Sequence, residues 1–369
     1  MSYEKDQRIV MTLDAGGTNF VFQAIKGNKE IAQAVHLPAN GHDLDLCLKT
    51  IVEGFEKIKE QLSEPPVAIS FAFPGPADYP RGIIGDLGNL PAFRGGVALG
   101  PMLEDHFKLP TFINNDGDLY AYGEALAGFL PYVNNMLEKA GSPKRFKNLV
   151  GFTLGTGFGC GIVHDGELFT GDNSGAGEVW LVRNKLHHEM NVEESVSARA
   201  VRRVYAQQAG IAFEDSPEPK EIFEIGMGLK PGNKQAAIVA WETFGEALGD
   251  AIANVLTLID GIAVIGGGLA GAHPLFLNKM MAELNGHYTN FKGDSYRRLY
   301  PFVFNLENES ELHKFLKGEA REVKVPGSNR TVVYDALPRL GVGVSKLGTS
   351  RAVALGAYAI ALNKIDGLE

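Results

Sequence analysis

Asp14-Ala15-Gly16-Gly17-Thr18-Asn19 lies between two apolar runs, Ile9 to Leu13 and Phe20 to Ile25. A strand that ends in an acid and two glycines reads as the tip of a hairpin. Glycine lets the backbone approach a ligand and turn N–H groups toward it, which suits a phosphate. Thr18 can donate to a phosphoryl oxygen, and Asp14, at a strand end, can hold Mg²⁺ or its water shell. The alternative is a plain tight turn with Asp14 as its Asx residue. Two further glycine turns follow apolar runs: Gly155-Thr156-Gly157 after Leu149 to Leu154, and Gly266-Gly267-Gly268 after Gly261 to Ile265. One such turn says little. Three point to a polyphosphate nucleotide, with two turns for phosphates and one for the adenosine side. There is no Gly-x-x-x-x-Gly-Lys-Ser/Thr loop and no protein-kinase signature. Gly266, Gly268 and Gly271 fit Gly-x-Gly-x-x-Gly, but a long helix rather than a βαβ unit precedes them. A dinucleotide-dependent oxidoreductase is therefore only a third reading.

Phosphoryl transfer needs a carboxylate beside the attacking hydroxyl and groups that fix the acceptor. Asp116 follows the short apolar piece Thr111 to Asn114 and opens a helix, with the amide of Asn115 beside it to hold a neutral hydroxyl. The alternative is that Asn115 or Asp116 only caps the helix. Asp118 reads as a solvated first-turn acid. Glu178, after Gly175-Ala176-Gly177, and Glu193-Glu194, at the next helix start, can accept from adjacent hydroxyls of a polyol or serve as caps. His187-His188 reads as a solvated loop. It lacks the cysteine partners of a structural zinc site.

The elements that position these residues follow from periodicity. Glu30 to Leu37 supplies a third strand, and His42 to Leu62 is an amphipathic helix with Leu44, Leu48, Ile51, Val52, Phe55 and Ile58 on one stripe. Val67 to Phe73 is a buried strand ended by Pro74-Gly75-Pro76. A helix is predicted over 119–127. The polar stretch 131–147 reads as a junction or surface excursion. Leu149 to Leu154, the second glycine turn, Cys160 to Val163, a turn at His164-Asp165-Gly166 and Leu168-Phe169 repeat the opening arrangement. The chain is thus predicted to hold a duplicated β-rich core. Helices are expected over 197–208, 235–259 and 351–362, and 286–340 reads as an irregular polar insertion. With 369 residues, 45% hydrophobic, the chain can bury two cores. A net charge of −9 argues against nucleic acid or an anionic membrane as partner. The two cysteines, Cys47 and Cys160, read as free thiols of a cytoplasmic protein, and the polar N-terminus shows no signal-peptide core.

Taken together, these residues resemble a known family. Asp14 to Asn19 is similar to the first phosphate motif of the sugar-kinase, actin and heat-shock-protein superfamily. Asn114-Asn115-Asp116 with Gly123-Glu124 resembles the catalytic segment of the ROK family of glucokinase-like sugar kinases. Leu154 to Gly161 resembles that family's second phosphate motif, Gly175 to Glu178 its sugar segment, and Val264 to Leu269 its adenosine motif. The resemblance runs from residue 9 to about 360. It implies an α/β fold of two duplicated ribonuclease-H-like (actin-like ATPase) domains with an interdomain cleft. Residues 1–118, completed by a helix over about 351–369, would form one domain and 119–350 the larger one. It further implies an ATP- and Mg²⁺-dependent hexose kinase acting on glucose or a related sugar, in the cytoplasm, as a homodimer. Asp116 would be the general base for a hydroxyl, usually that on carbon 6. Asn89, Asn115, Asp116, Glu178 and Glu193 would bind the sugar. Asp14, Gly16, Gly17, Thr18, Gly155, Thr156, Gly157, Gly266, Gly267 and Gly268 would hold ATP, with Asp14 on Mg²⁺ through water. Val192 to Ala200 matches the family's Leu-Glu-x-x-x-Ser-x-x-Ala helix start, which favours Glu193 over Glu194. Family members commonly continue from the first sugar glutamate with x-Gly-His and a cysteine-rich zinc loop. Here Glu178 is followed by Val179-Trp180-Leu181 with no cysteine before Glu193, so no zinc is expected, and His187 or His188 becomes the candidate for the sugar-contacting histidine. With the first strand read from Ile9, the helix-turn-helix of repressor members is not expected. The alternative from another class is a non-catalytic sugar-binding regulator of the same fold.

Overall fold

The structure, a computed structural model, describes residues 3–16, 18–88 and 90–367. Along the chain come β1 (Val10–Ala15), β2 (Asn19–Lys26), β3 (Lys29–Glu30), β4 (Val35–Pro38), α1 (Leu44–Lys59), β5 (Ala68–Ala72), a small ribbon of β6 (Ala77–Asp78) and β7 (Ile83–Ile84), α2 (Leu99–Phe107), β8 (Thr111–Asn114) and α3 (Asp116–Leu126). Then follow α4 (Phe129–Lys139), β9 (Leu149–Leu154), β10 (Phe158–His164), β11 (Glu167–Leu168), α5 (Ala198–Ala209), α6 (Pro219–Gly226), α7 (Lys234–Ile259), β12 (Ile262–Gly266) and α8 (His273–Leu284). The chain closes with the hairpin β13 (His287–Thr289) and β14 (Ser295–Arg297), then β15 (Phe302–Asn305), α9 (Glu309–Lys317), the hairpin β16 (Ala320–Lys324) and β17 (Thr331–Asp335), β18 (Arg339–Val344) and α10 (Thr349–Asp366). It divides into two compact units, one of residues 1–128, 161–176 and 347–369, the other of 129–160 and 177–346.

In the first unit, alternation decides the sheet. β1 and β2 pair antiparallel, from Val10 opposite Ile25 to Ala15 opposite Phe20. Met11, Leu13, Phe20, Phe22 and Ala24 therefore share one face, where they join Cys47, Ile51, Phe55 and Ile58 of α1 and Ile69, Phe71 and Phe73 in one core. α1 is capped by Asp43, whose carboxylate accepts the Leu46 N–H. The opposite face of β1 and β2 presents Thr12, Asp14, Val21 and Gln23 to the start of α10. β5 and β8 lie parallel to β1, giving the order β3-β2-β1-β5-β8, with β4 also on β2. α3 and α10 approach so closely that a Cβ on Gly123 would lie 1.9 Å from the Ala352 carbonyl oxygen, and one on Gly356 2.0 Å from that of Leu119.

The second sheet runs β11-β10-β9-β12-β18-β15. Its β10-β9-β12-β18 portion repeats β2-β1-β5-β8: a hairpin with a glycine turn, then two parallel strands. The expected duplication thus extends through both sheets. In the second unit Trp241 and Phe244 of α7 and Phe276 of α8 pack with ring centroids 5.4–6.1 Å apart.

Four expectations are corrected. The strand read over 30–37 is two short ones, both lying along β2. The helix read from 119 begins at Asp116, because Asn115 caps it. The stretch 131–147 is no surface excursion over its first half. Phe129, Leu130, Val133 and Leu137 make a buried helical stripe, and Pro131 sits in the first turn, where its missing N–H has no helical partner to lose. Finally, 286–340 is not irregular: it holds the two hairpins, α9 and β15, the edge strand that lies parallel to β18 in the second sheet. Among the described residues no helix is long and apolar enough to cross a membrane.

Candidate active site

In the first unit the acids stand at the carboxyl ends of parallel strands, the edge where open α/β sheets place their ligands. Asp14 of β1 is level with Ala72 of β5, and Ala72 with Asn114 of β8. With strands about 4.8 Å apart, Asp14 and Asn114 are about 10 Å from each other across the sheet. The chain turns at Asn115 into α3, whose first residue is Asp116. The Asn115 Oδ1 accepts the Gly117 N–H at 2.8 Å. Asn115 is thus a helix cap, and among the described residues its amide NH₂ has no hydrogen-bond partner. The first turn of α3 rests on Gly161, where a Cβ would meet the Gly117 carbonyl oxygen at 2.3 Å. Asp118, expected to be solvated, is buried.

Asp116 is open to solvent at its surface but surrounded by protein at longer range. This thinning of bulk water pushes its carboxyl above the usual carboxylate range. The Gly117 and Asp116 amides pull it down, and the charge of Asp14 pushes it up. Asp14 is raised too, mainly by burial, against a hydrogen bond from the Ser350 hydroxyl of α10. A carboxyl whose charge raises its neighbour at a strand end suits a cation between phosphate and protein. Asp14, with a hydroxyl already fixing it, fits the single-carboxylate attachment that a largely hydrated Mg²⁺ accepts. Thr18 is exposed, with its backbone carbonyl bonded to the Ala39 N–H at 2.9 Å. Gly16 closes the hairpin on the Asn19 carbonyl at 3.1 Å. Gly17 and Asn89, two of the expected ligands, lie outside the described residues.

In the second unit the two other glycine turns meet. Gly266 of β12 is level with Thr153 of β9, and the Leu269 N–H bonds the Leu154 carbonyl at 3.0 Å. Gly267 has φ +90°, and a Cβ there would lie 2.3 Å from the Leu154 oxygen. Gly155 and Gly268 face open space, and Thr156 and Gly268 are exposed. Glu193 joins the same region: its Oε2 accepts the Phe158 N–H at 3.1 Å, just after the Gly155–Gly157 turn, and its Oε1 pairs with Arg199 at 3.0 Å. Glu194 is tied to Arg199 and Arg203 instead. Glu178 is exposed, its carboxylate accepting the Trp180 indole N–H. His187 and His188 are exposed loop residues, with His187 beside Met190, Glu194 and Arg203. Sequence reasoning missed Ser350 and Arg199. Ser350 comes from the far end of the chain, and no local pattern marks it. Arg199 was visible only as a cation near the start of α5.

The two sheets, each with its glycine-turn hairpin, define the two-domain actin-like ATPase fold. The ROK family model matches residues 10–301, and the chain belongs to the ROK family. It is similar to a glucokinase from Parabacteroides distasonis, with 58% identity, 98% of this chain and 99% of that one covered, and a TM-score of 0.91. An N-acetyl-D-glucosamine kinase of Photobacterium profundum is 27% identical over 71% of this chain and 85% of its own length. The crystal structure of a ROK family glucokinase from Streptomyces griseus with glucose and AMPPNP shares the fold, with a TM-score of 0.58, 17% identity, and 95% and 98% of the two chains covered.

Proposed function

We propose that this ROK-family protein, an ATP-dependent sugar kinase, transfers the γ-phosphoryl group to the 6-hydroxyl of a hexose, glucose or its N-acetylamino relative, with Asp116 as general base. The observation that carries this is Asp116 itself: a carboxyl at the N-terminus of α3, accessible yet held above the usual range by thinned solvent and by Asp14. A base raised toward neutrality accepts a proton more readily than an ordinary surface acid. The hydroxyl O–H breaks toward an Asp116 oxygen as the sugar oxygen bonds phosphorus, and ADP leaves. Asn115, through its amide NH₂, and Asn89, Glu178 and Glu193 bind the sugar. The turns Gly16 to Thr18 and Gly155 to Gly157 cradle phosphates; the Gly16 and Gly155 N–H groups themselves close these turns on the Asn19 and Gly157 carbonyls. The open face at Gly268 admits the adenosine side. Mg²⁺, held from Asp14 through water, would neutralise phosphate charge. The kinase names of the similar proteins support the substrate class.

The test is ADP release from Mg·ATP across a panel of hexoses and N-acetylhexosamines, with Asp116→Asn as control. Turnover on one sugar that falls at least about 100-fold in the control, with sugar binding retained, is expected. Normal maximal rate in Asp116→Asn with weakened sugar binding would refute the role. No turnover on any sugar with ATP still bound would favour the regulator.

A further inference from the structure

Asn184 lies in the connection from Glu178 to Glu193, and its side chain is completely buried. A primary amide has two donors and an acceptor oxygen with two lone pairs. Asn184 uses all of them. Its Oδ1 accepts the Leu186 N–H at 2.9 Å and the His187 N–H at 3.2 Å. Its Nδ2 donates to the Asn191 carbonyl at 3.1 Å and to the Ser195 Oγ at 2.8 Å. Its backbone N–H bonds the Met190 carbonyl at 3.0 Å. One side chain thus ties both ends of a loop that contains no cysteine.

The partners of Asn184 flank Glu193 on either side. Asn191 caps the short turn Val192–Glu194, its Oδ1 accepting the Glu194 N–H at 3.3 Å. Ser195 follows that turn, and the Ser197 hydroxyl then bonds the Glu193 carbonyl at 2.8 Å. Glu193 is therefore held at its own backbone by Ser197, at its carboxylate by Phe158 and Arg199, and through its neighbours by Asn184.

We propose that Asn184 is a positioning residue for Glu193 and thereby sets sugar affinity, resting on the reading of Glu193 as a sugar ligand. Its bonds fix where the Val192–Glu194 turn sits, and a carboxylate that shifts by about 1 Å loses much of its hold on a hydroxyl pair. If the amide were removed, the Asn191 carbonyl would keep only the Glu194 N–H at 3.3 Å and the buried Ser195 hydroxyl would lose a donor.

The experiment uses the full chain with Asn184→Ala, Ser195→Ala, Glu193→Gln and the double variant Asn184→Ala/Glu193→Gln. KM for sugar, KM for ATP, kcat and thermal midpoint are measured for each. Expected is a rise of about tenfold in sugar KM for Asn184→Ala, and a smaller rise for Ser195→Ala, with KM for ATP unchanged. In the Glu193→Gln background the Asn184→Ala effect should vanish, because the two act as one unit. A lowered thermal midpoint with unchanged sugar KM means a merely structural residue and overturns the proposal. So does an unchanged sugar KM in Ser195→Ala, whatever the fate of the Asn184→Ala chain. If Glu193→Gln itself leaves sugar KM unaltered while Asn184→Ala raises it, Glu193 is not a ligand and Asn184 acts elsewhere. That result fails the ligand reading as well as the proposal, and it is distinguishable from the others.

Discussion

Replacing Gly267 with alanine asks whether the contact of two glycine turns is a steric requirement. The new Cβ would lie 2.3 Å from the Leu154 oxygen, 2.5 Å from its nitrogen and 2.8 Å from its carbonyl carbon, all backbone atoms. Leu154 cannot retreat cheaply. Its carbonyl is bonded to the Leu269 N–H, and β9 is locked to β12 from Leu149 to Thr153. A side chain at φ +90° adds strain of about 1–3 kcal/mol, and the overpacking a further ~1–3 kcal/mol. The sum is a loss of about 2–6 kcal/mol. At a urea slope of about 3 kcal/mol/M this lowers the midpoint by about 0.7–2 M. Fluorescence reports on the right unit, since both tryptophans, Trp180 and Trp241, belong to 177–346. Gly268→Ala is the matched control. Nothing lies within 4 Å of its added Cβ, so stability should stay within about 0.5 kcal/mol. The methyl nevertheless stands on the open face assigned to the nucleotide, so KM for ATP should rise by about tenfold, which is ~1.4 kcal/mol. An unchanged urea midpoint in Gly267→Ala would refute the steric argument. Equal destabilisation by Gly268→Ala, or an unaltered KM for ATP, would remove the distinction between the two glycines.

Three further outcomes are expected. Because thinned solvent and Asp14 raise the Asp116 carboxyl, its titration lies above the usual carboxylate range and the rate falls as pH drops through that raised value. Carboxyl ¹³C shifts of Asp116 should move to lower pH in Asp14→Asn, and no movement would exclude the coupling. In Ser350→Ala, Asp14 loses the hydrogen bond that opposes its burial. The acid limb of kcat/KM for ATP should move to higher pH, and an unmoved limb would show that Ser350 does not tune Asp14. Arg339 is fully buried, bonded to Asp335 at 2.6 Å, the Phe315 carbonyl at 2.7 Å and the Ser142 Oγ at 3.2 Å. Arg339→Met should cost about 3–5 kcal/mol in urea denaturation, because it strands a half-buried carboxylate. Burial pushes Asp335 up, but the Arg339 and Glu319 hydrogen bonds prevail and hold it below the ordinary value. Its stabilisation is therefore present above about pH 3.9 and lost as pH falls through the lower folded value. The variant should lack that acid-side loss, and an identical pH dependence would contradict the assignment.

The sequence by itself determined what local chemistry can encode. The β1–β2 hairpin, the stripe of α1, the three glycine turns and the Asn115-Asp116 helix start are each written within about a dozen neighbouring residues, where alternation, helical spacing and capping act. Their repetition also disclosed the duplicated fold. Tertiary structure alone decided the rest. That Gly267 must lack a side chain follows from Leu154, which reaches it only through the β9–β12 pairing. That Asp14 carries a hydroxyl partner follows from the packing of α10, which returns Ser350 to β1 from the other end of the chain. β15 and the first two residues of β18 fall within a stretch that reads as polar irregularity because two exposed hairpins and a short amphipathic helix surround β15, and only the sheet reveals its parallel register on β18. No local pattern marks Asn184. Its role exists only where burial brings four hydrogen-bonding partners around it, and a pattern in one dimension carries no record of burial.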